Sequence, residues 1–231
     1  MPMRFLPFLL TLWCLLCAAV GPAQPPPKRP FVFPPALEPG GTIALVAPAR
    51  PVKPQDAMML QAALEAQGFR VKPAANITTV NKYLAGTDEE RAAGIMEAFR
   101  DPQVDAIFCV AGGFGSTRML DLLDYDTIRR NPKIVTGFSD VTGLHLALNR
   151  RAGLVSFHAP NSHLALANNT QERPFAARGL WGLISAQAWE SRGGDVPYTL
   201  PTDGITTPIL SLTLGRGRGR LPAKNSSAQT G

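Results

Sequence analysis

The sequence predicts an α/β fold: a mostly parallel sheet flanked by helices. Short, continuously apolar runs recur at 42–46, 106–110 and 134–137, and segments of helical spacing separate them. That alternation marks strands buried on both faces by crossover helices. The chain of 231 residues is 45% hydrophobic and 17% charged, which supports a sizeable core and excludes dominant disorder.

Each element follows from local pattern. Thr42 to Val46 reads as a buried strand. Gln55 to Gln67 places Ala57, Leu60 and Leu64 at helical spacing. Phe69 to Val71 is a short second strand. Asp88 to Arg100 is a helix, with Thr87 as N-cap and Glu90 as its capping-box partner. Ala106 to Val110 is a third strand, and Ser116 to Leu123 begins a helix after a Gly-rich turn. Ile134 to Gly137 is a strand, Val141 to Arg151 a helix, and Val155 to Phe157 a strand. Beyond Asn168 the pattern weakens to a helix over Ala176 to Ala186 and a strand over Ile209 to Leu214.

The termini differ from this body. A basic start at Met1 to Arg4 precedes the 16-residue apolar run Phe5 to Val20, the pattern of a secretory signal peptide. Cleavage is expected after Ala19 or Ala23. Lipidation at Cys17 and an uncleaved anchor are the alternatives. The chain is therefore expected to be exported, periplasmic or secreted, meeting a membrane only through this segment. Residues 24–40 are Pro-rich and read as an extended linker. Residues 215–231 read as a disordered basic tail.

The net charge of +6 is a property of the ends. Arg4, Arg216, Arg218, Arg220 and Lys224 account for five of it, leaving +1 for the body, so no nucleic-acid partner is expected. With the signal removed, Cys109 is the single thiol and reads as a buried strand residue.

Two stretches carry candidate chemistry. Gly112-Gly113-Phe114-Gly115-Ser116 follows a strand, where glycines let backbone N–H groups face an anion. It is no dinucleotide fingerprint, because it follows the third strand and Arg118 replaces the last glycine. Gly137-Phe138-Ser139-Asp140-Val141 keeps the first Gly and the Ser of G-x-S-x-G between a strand and a helix. That is the context of a nucleophile elbow, with the Asp140 N–H as an oxyanion donor. The alternative is that Ser139 or Asp140 only caps the following helix.

Four ordered motifs carry a resemblance: Tyr83 to Arg91 (YLAGTDEER), Asp105 to Gly115 (DAIFCVAGGFG), Arg118 through Leu123-Asp124-Tyr125, and Asn131 to Thr142 (NPKIVTGFSDVT). Over roughly Gly41 to Leu214 the chain resembles the LD-carboxypeptidases, the muramoyl-tetrapeptide carboxypeptidases related to microcin C immunity peptidases. The resemblance implies a Rossmann-like N-terminal domain over 41–167 and the start of a linker and C-terminal domain over 168–214. It implies removal of the terminal D-Ala from murein tetrapeptides by a Ser-His-Glu triad, with no metal or other cofactor. The matching nucleophile is Ser139, not Ser116. The oxyanion donors match Asp140 with Gly113 or Gly115. The family's Arg before the two glycines is Ala111 here.

The triad is not expected to close. The family's Glu and His follow a Gly-Gly-Asn-Leu stretch, which would fall after Leu221, where a polar tail stands instead. No His follows Glu172 or Glu190, and no acid lies between Asp140 and Glu172. His145 reads as a core histidine, and His158 and His163 as residues near the strand ends. The chain reads as a truncated or frameshifted member with crippled activity. The alternative is a non-catalytic remnant binding peptidoglycan peptides. The uncovered domain face is expected to promote association, a homodimer included.

Overall fold

The computed structural model describes residues 30–160 and 173–185. The signal segment, residues 24–29, His163, the strand expected at Ile209 to Leu214 and the basic tail lie outside them.

Five parallel strands form one sheet in the order β2-β1-β3-β4-β5. They are β1 (Thr42–Val46), β2 (Arg70–Pro73), β3 (Ala106–Cys109), β4 (Ile134–Gly137) and β5 (Phe157–His158). Register places Ile43 opposite Ala106, Ala106 opposite Ile134, and Gly137 opposite His158. The fold is the expected α/β class. Alternate strand residues enter two cores. Ala44, Val46, Ile107, Cys109 and Val135 face one layer. Ile43, Leu45, Phe108 and Ile134 face the other. Both faces of β1, β3 and β4 are therefore apolar, which explains their hydrophobic runs.

Helices cover both layers. On one face lie α2 (Asp88–Arg100), α3 (Tyr125–Arg130) and α4 (Thr142–Ala147). On the other lie α1 (Pro54–Glu65) and α5 (Arg173–Ile184). Trp181 of α5 stacks on Phe69 at 5.1 Å, and Leu180 and Ile184 join the core. The α/β unit thus reaches past residue 167. The N-terminus of α2 carries the expected capping box: Thr87 Oγ1 accepts from Glu90 N at 3.2 Å, and the Glu90 carboxylate accepts from Thr87 N at 2.7 Å.

Three expectations change in detail. Ser116–Leu122 is a 3₁₀ turn rather than an α-helix, and α3 starts separately behind Asp124, whose carboxylate accepts from the N–H groups of Asp126 and Thr127. The helix expected over Val141 to Arg151 is composite: a 3₁₀ turn over Ser139–Val141, then α4, then a π segment over Leu148–Ala152. The last strand is shifted to Phe157–His158. From residue 30 onward the Pro-rich stretch is extended and docked. Val32 N donates to Gly153 O at 2.8 Å, and Leu37 N to Ile184 O at 2.8 Å.

Candidate active site

All strands run the same way, so the turns after β1, β3, β4 and β5 gather at one edge. The strand order reverses between β1 and β3, the kind of switch point outside whose C-terminal strand ends open α/β sheets bind ligands. Both candidate motifs lie at this edge.

Ser139 directly follows β4 and Phe138. Its φ is 62°, a left-handed conformation costly for an L-residue with a Cβ. Its side chain is exposed. Gly137 has no room for a Cβ, which would stand 2.5 Å from Val141 Cγ1. Val141, in place of the motif's last glycine, is thus accommodated by the first. Neither Ser139 nor Asp140 caps the helix after it: the 3₁₀ turn and α4 both begin without a side-chain cap. The capping alternative fails at this point.

Asp140 reaches across instead. Its Oδ2 accepts from Ser116 N at 2.8 Å, and its carbonyl accepts from Ser116 Oγ at 2.6 Å. The elbow and the Gly-rich turn are therefore bonded to each other. Ser116 is fully buried with its hydroxyl engaged, so of the two serines only Ser139 presents an exposed Oγ. Within the Gly-rich turn, Gly113 (φ 124°) and Gly115 (φ 115°) adopt conformations closed to other residues. They differ in surroundings. Gly113 is exposed, with the Arg50 side chain over it. Gly115 is buried against Leu84 and Arg91.

Sequence reasoning missed Arg91. This guanidinium is buried, and its Nη1 donates to Pro48 O at 2.6 Å and Gly115 O at 2.8 Å. Nε donates to Thr87 O at 3.3 Å, and Nη2 pairs with Asp88. One side chain thereby ties the turn after β1 to the turn after β3. A signal existed: Arg91 falls four residues before Ile95 on the apolar face of α2, where a cation needs several acceptors to be tolerated.

The two described histidines separate by role. His145 is buried, with Nε2 3.1 Å from Gly137 O and Nδ1 2.8 Å from Ser156 Oγ. An imidazole protonated on Nε2 satisfies both contacts, donating to the carbonyl and accepting from the hydroxyl. Burial holds its pKa below the ordinary value, against the raising effect of the Gly137 hydrogen bond. It is the core histidine expected. His158 is exposed at the end of β5, its ring edge-on to Phe138 at 5.5 Å. Cys109 is buried and its thiol is pushed up to about 12, the inert strand residue expected. Among the described residues no cluster of three His, Cys, Asp or Glu could hold a metal ion. A concavity of about 480 Å³ beside Thr42, Arg70 and Asp105 lies at the opposite edge of the sheet, remote from both motifs.

Residues 43–159 match the LD-carboxypeptidase N-terminal domain, half of the chain. The protein belongs to the LD-carboxypeptidase family. The chain is 42% identical over 127 residues to the "Probable murein peptide carboxypeptidase" of Bacillus subtilis, covering 55% of this chain and 40% of that one. An MccF-like protein from Bacillus anthracis superposes with a TM-score of 0.62 at 28% identity, covering 67% of this chain and 47% of that one. The muramoyltetrapeptide carboxypeptidase of Oxalobacter formigenes gives 0.57 at 27% identity, covering 63% and 48%. This LD-carboxypeptidase chain spans under half the length of each of these relatives.

Proposed function

We propose that this domain carries the nucleophile of a serine-type LD-carboxypeptidase that removes the terminal D-Ala from murein tetrapeptides. The observation that carries the reading is Ser139: a left-handed, exposed serine between β4 and a helical turn, bonded through Asp140 to a Gly-rich turn. Names among the relatives support the substrate class.

In this reading Ser139 Oγ attacks the amide carbonyl carbon and a base takes its proton. The N–H groups of Asp140 and Gly113 hold the oxyanion, with Gly115 supporting the turn from its buried position. The C–N bond then breaks and D-Ala leaves as the amine, carrying the proton. Water hydrolyses the acyl-serine. His145 is committed to the core, and the base is the acid–His pair that the family resemblance implies. Turnover depends on that pair. In subtilisin, loss of the base costs about 2 × 10⁶ in kcat. Export by the N-terminal apolar run belongs to the same proposal; intact mass of the secreted protein, starting at Val20 or Gln24, tests it.

The assay is D-Ala release from murein tetrapeptide by the purified protein beside Ser139→Ala. Release that the substitution abolishes is expected. Release that survives it overturns the nucleophile.

A further inference from the structure

We infer that Tyr83, Phe114 and Arg118 form the subsite for the side chain of the diamino acid whose carbonyl is attacked, and that they select one ending in a carboxylate. The inference rests on the carboxypeptidase reading above. The residue before the terminal D-Ala of a murein tetrapeptide is such a diamino acid. It is lysine, whose aliphatic stem ends in an ammonium, or diaminopimelate, whose end carries a carboxylate as well.

Phe114 stands between Gly113, the glycine given the oxyanion above, and Gly115. It is 58% exposed and Tyr83 is 51% exposed, and their rings lie 6.0 Å apart between centroids at a tilt of 58°. Both are firmly seated. Tyr83 belongs to a tight turn in which Asn81 N donates to Leu84 O and Leu84 N to Asn81 O, each at 2.9 Å. Leu84 is buried against Gly115, and Ala85 N donates to Ala49 O at 2.9 Å, which ties this turn to the one after β1. Two aromatic rings are thus presented together, one residue from an oxyanion donor. Consecutive Cα atoms are about 3.8 Å apart, so the residues that can reach this wall are the two flanking the scissile bond. The methyl group of D-Ala covers little of two rings. An aliphatic stem of several methylenes covers much more, and leaves water in doing so.

Arg118 supplies the charge. Tyr83 stands beside its guanidinium, whose pKa is raised chiefly by Asp88 and further by Tyr83. Asp88 pairs with Arg91 as well as with Arg118, so the trio keeps one positive charge. Arg91 is buried, whereas the Arg118 side chain is half exposed, and its bond to Asp88 at 3.1 Å uses Nε, one of five donors. A carboxylate at the end of a stem laid along Tyr83 meets this cation. A lysine ammonium there meets like charge.

The test is titration calorimetry with three murein tetrapeptides that differ only in the third residue: diaminopimelate, lysine or alanine. A Ser139→Ala background prevents turnover. In that background lysine is expected to bind about 10-fold more tightly than alanine, for a stem partly removed from water. Diaminopimelate should bind about 5-fold more tightly than lysine, the scale of an exposed ion pair. Adding Phe114→Ala should remove most of the lysine-over-alanine preference and leave the alanine peptide bound as before, which also shows that the variant is folded. Adding Arg118→Gln should remove the diaminopimelate-over-lysine preference and keep the other. Equal binding of the three peptides, or a preference that its variant leaves unchanged, overturns the inference and leaves the proposed function standing. Failure of the background protein to bind any of the three overturns both.

Discussion

Ser139 pays for its exposed hydroxyl with backbone conformation, and glycine at that position should make the protein more stable. At φ 62° the serine Cβ crowds the backbone. The left-handed conformation costs an L-residue about 1–2 kcal/mol. Glycine removes that cost but loses more freedom on folding, about 0.5–1 kcal/mol. The difference is a net gain of about 0.5–1 kcal/mol for Ser139→Gly. Ser139→Ala deletes the same hydroxyl but keeps the Cβ, so it should stay within about 0.5 kcal/mol of the parent, as exposed substitutions do. Urea unfolding of the three proteins, read as midpoint shifts at constant slope, isolates the backbone contribution. If Ser139→Gly unfolds at lower urea than Ser139→Ala, the turn is not strained at Ser139, and the elbow reading loses its main support.

Other outcomes follow from the buried groups. Arg91→Met strands the Pro48 and Gly115 carbonyls, at about 1–3 kcal/mol each, and should lower the urea midpoint far more than Arg118→Met, whose ion pair is exposed. Cys109 should resist iodoacetamide at pH 8 until the protein unfolds, because burial raises the thiol to about 12; mass spectrometry of labelled native and denatured samples decides. His145 is held neutral by burial. As pH falls below about 6.5 the unfolded chain therefore takes up a proton that the folded chain resists, and stability drops. His145→Gln should flatten that acid limb of the stability curve in urea titrations at pH 5 to 7.5.

Elements with short-range causes were legible in the sequence. The α2 start needs only Thr87 and Glu90, three residues apart, and both bonds form. β1 and β4 are apolar runs with identical bounds in chain and fold. The helix over 141–151 was legible as helix but not in its pitch. Its wide end is fitted to distant partners: Arg151 lies 4.1 Å over the Tyr125 ring and bonds Asp121. Asp124 was missed as a start signal because the apolar pattern runs through it from the preceding turn. At the site, Ser139 could be found because its context is local, strand then helix. Arg50, Arg91 and the Ser116–Asp140 bonds join residues 24 to 62 apart in the chain. No local pattern records such pairings.

The pair of hydrogen bonds between Ser116 and Asp140 bears on how the protein tolerates heat. Asp140 is the neighbour of Ser139, and Ser116 the neighbour of Gly115, so two hydrogen bonds fuse turns from different strands into one small body. Warming that loosens the sheet edge would shift this body as a piece, keeping the hydroxyl and the facing amides at a constant spacing while the rest of the rim breathes. The spacing that the proposed reaction needs is thereby tied to these two hydrogen bonds and should be lost when Ser116 and Asp140 part.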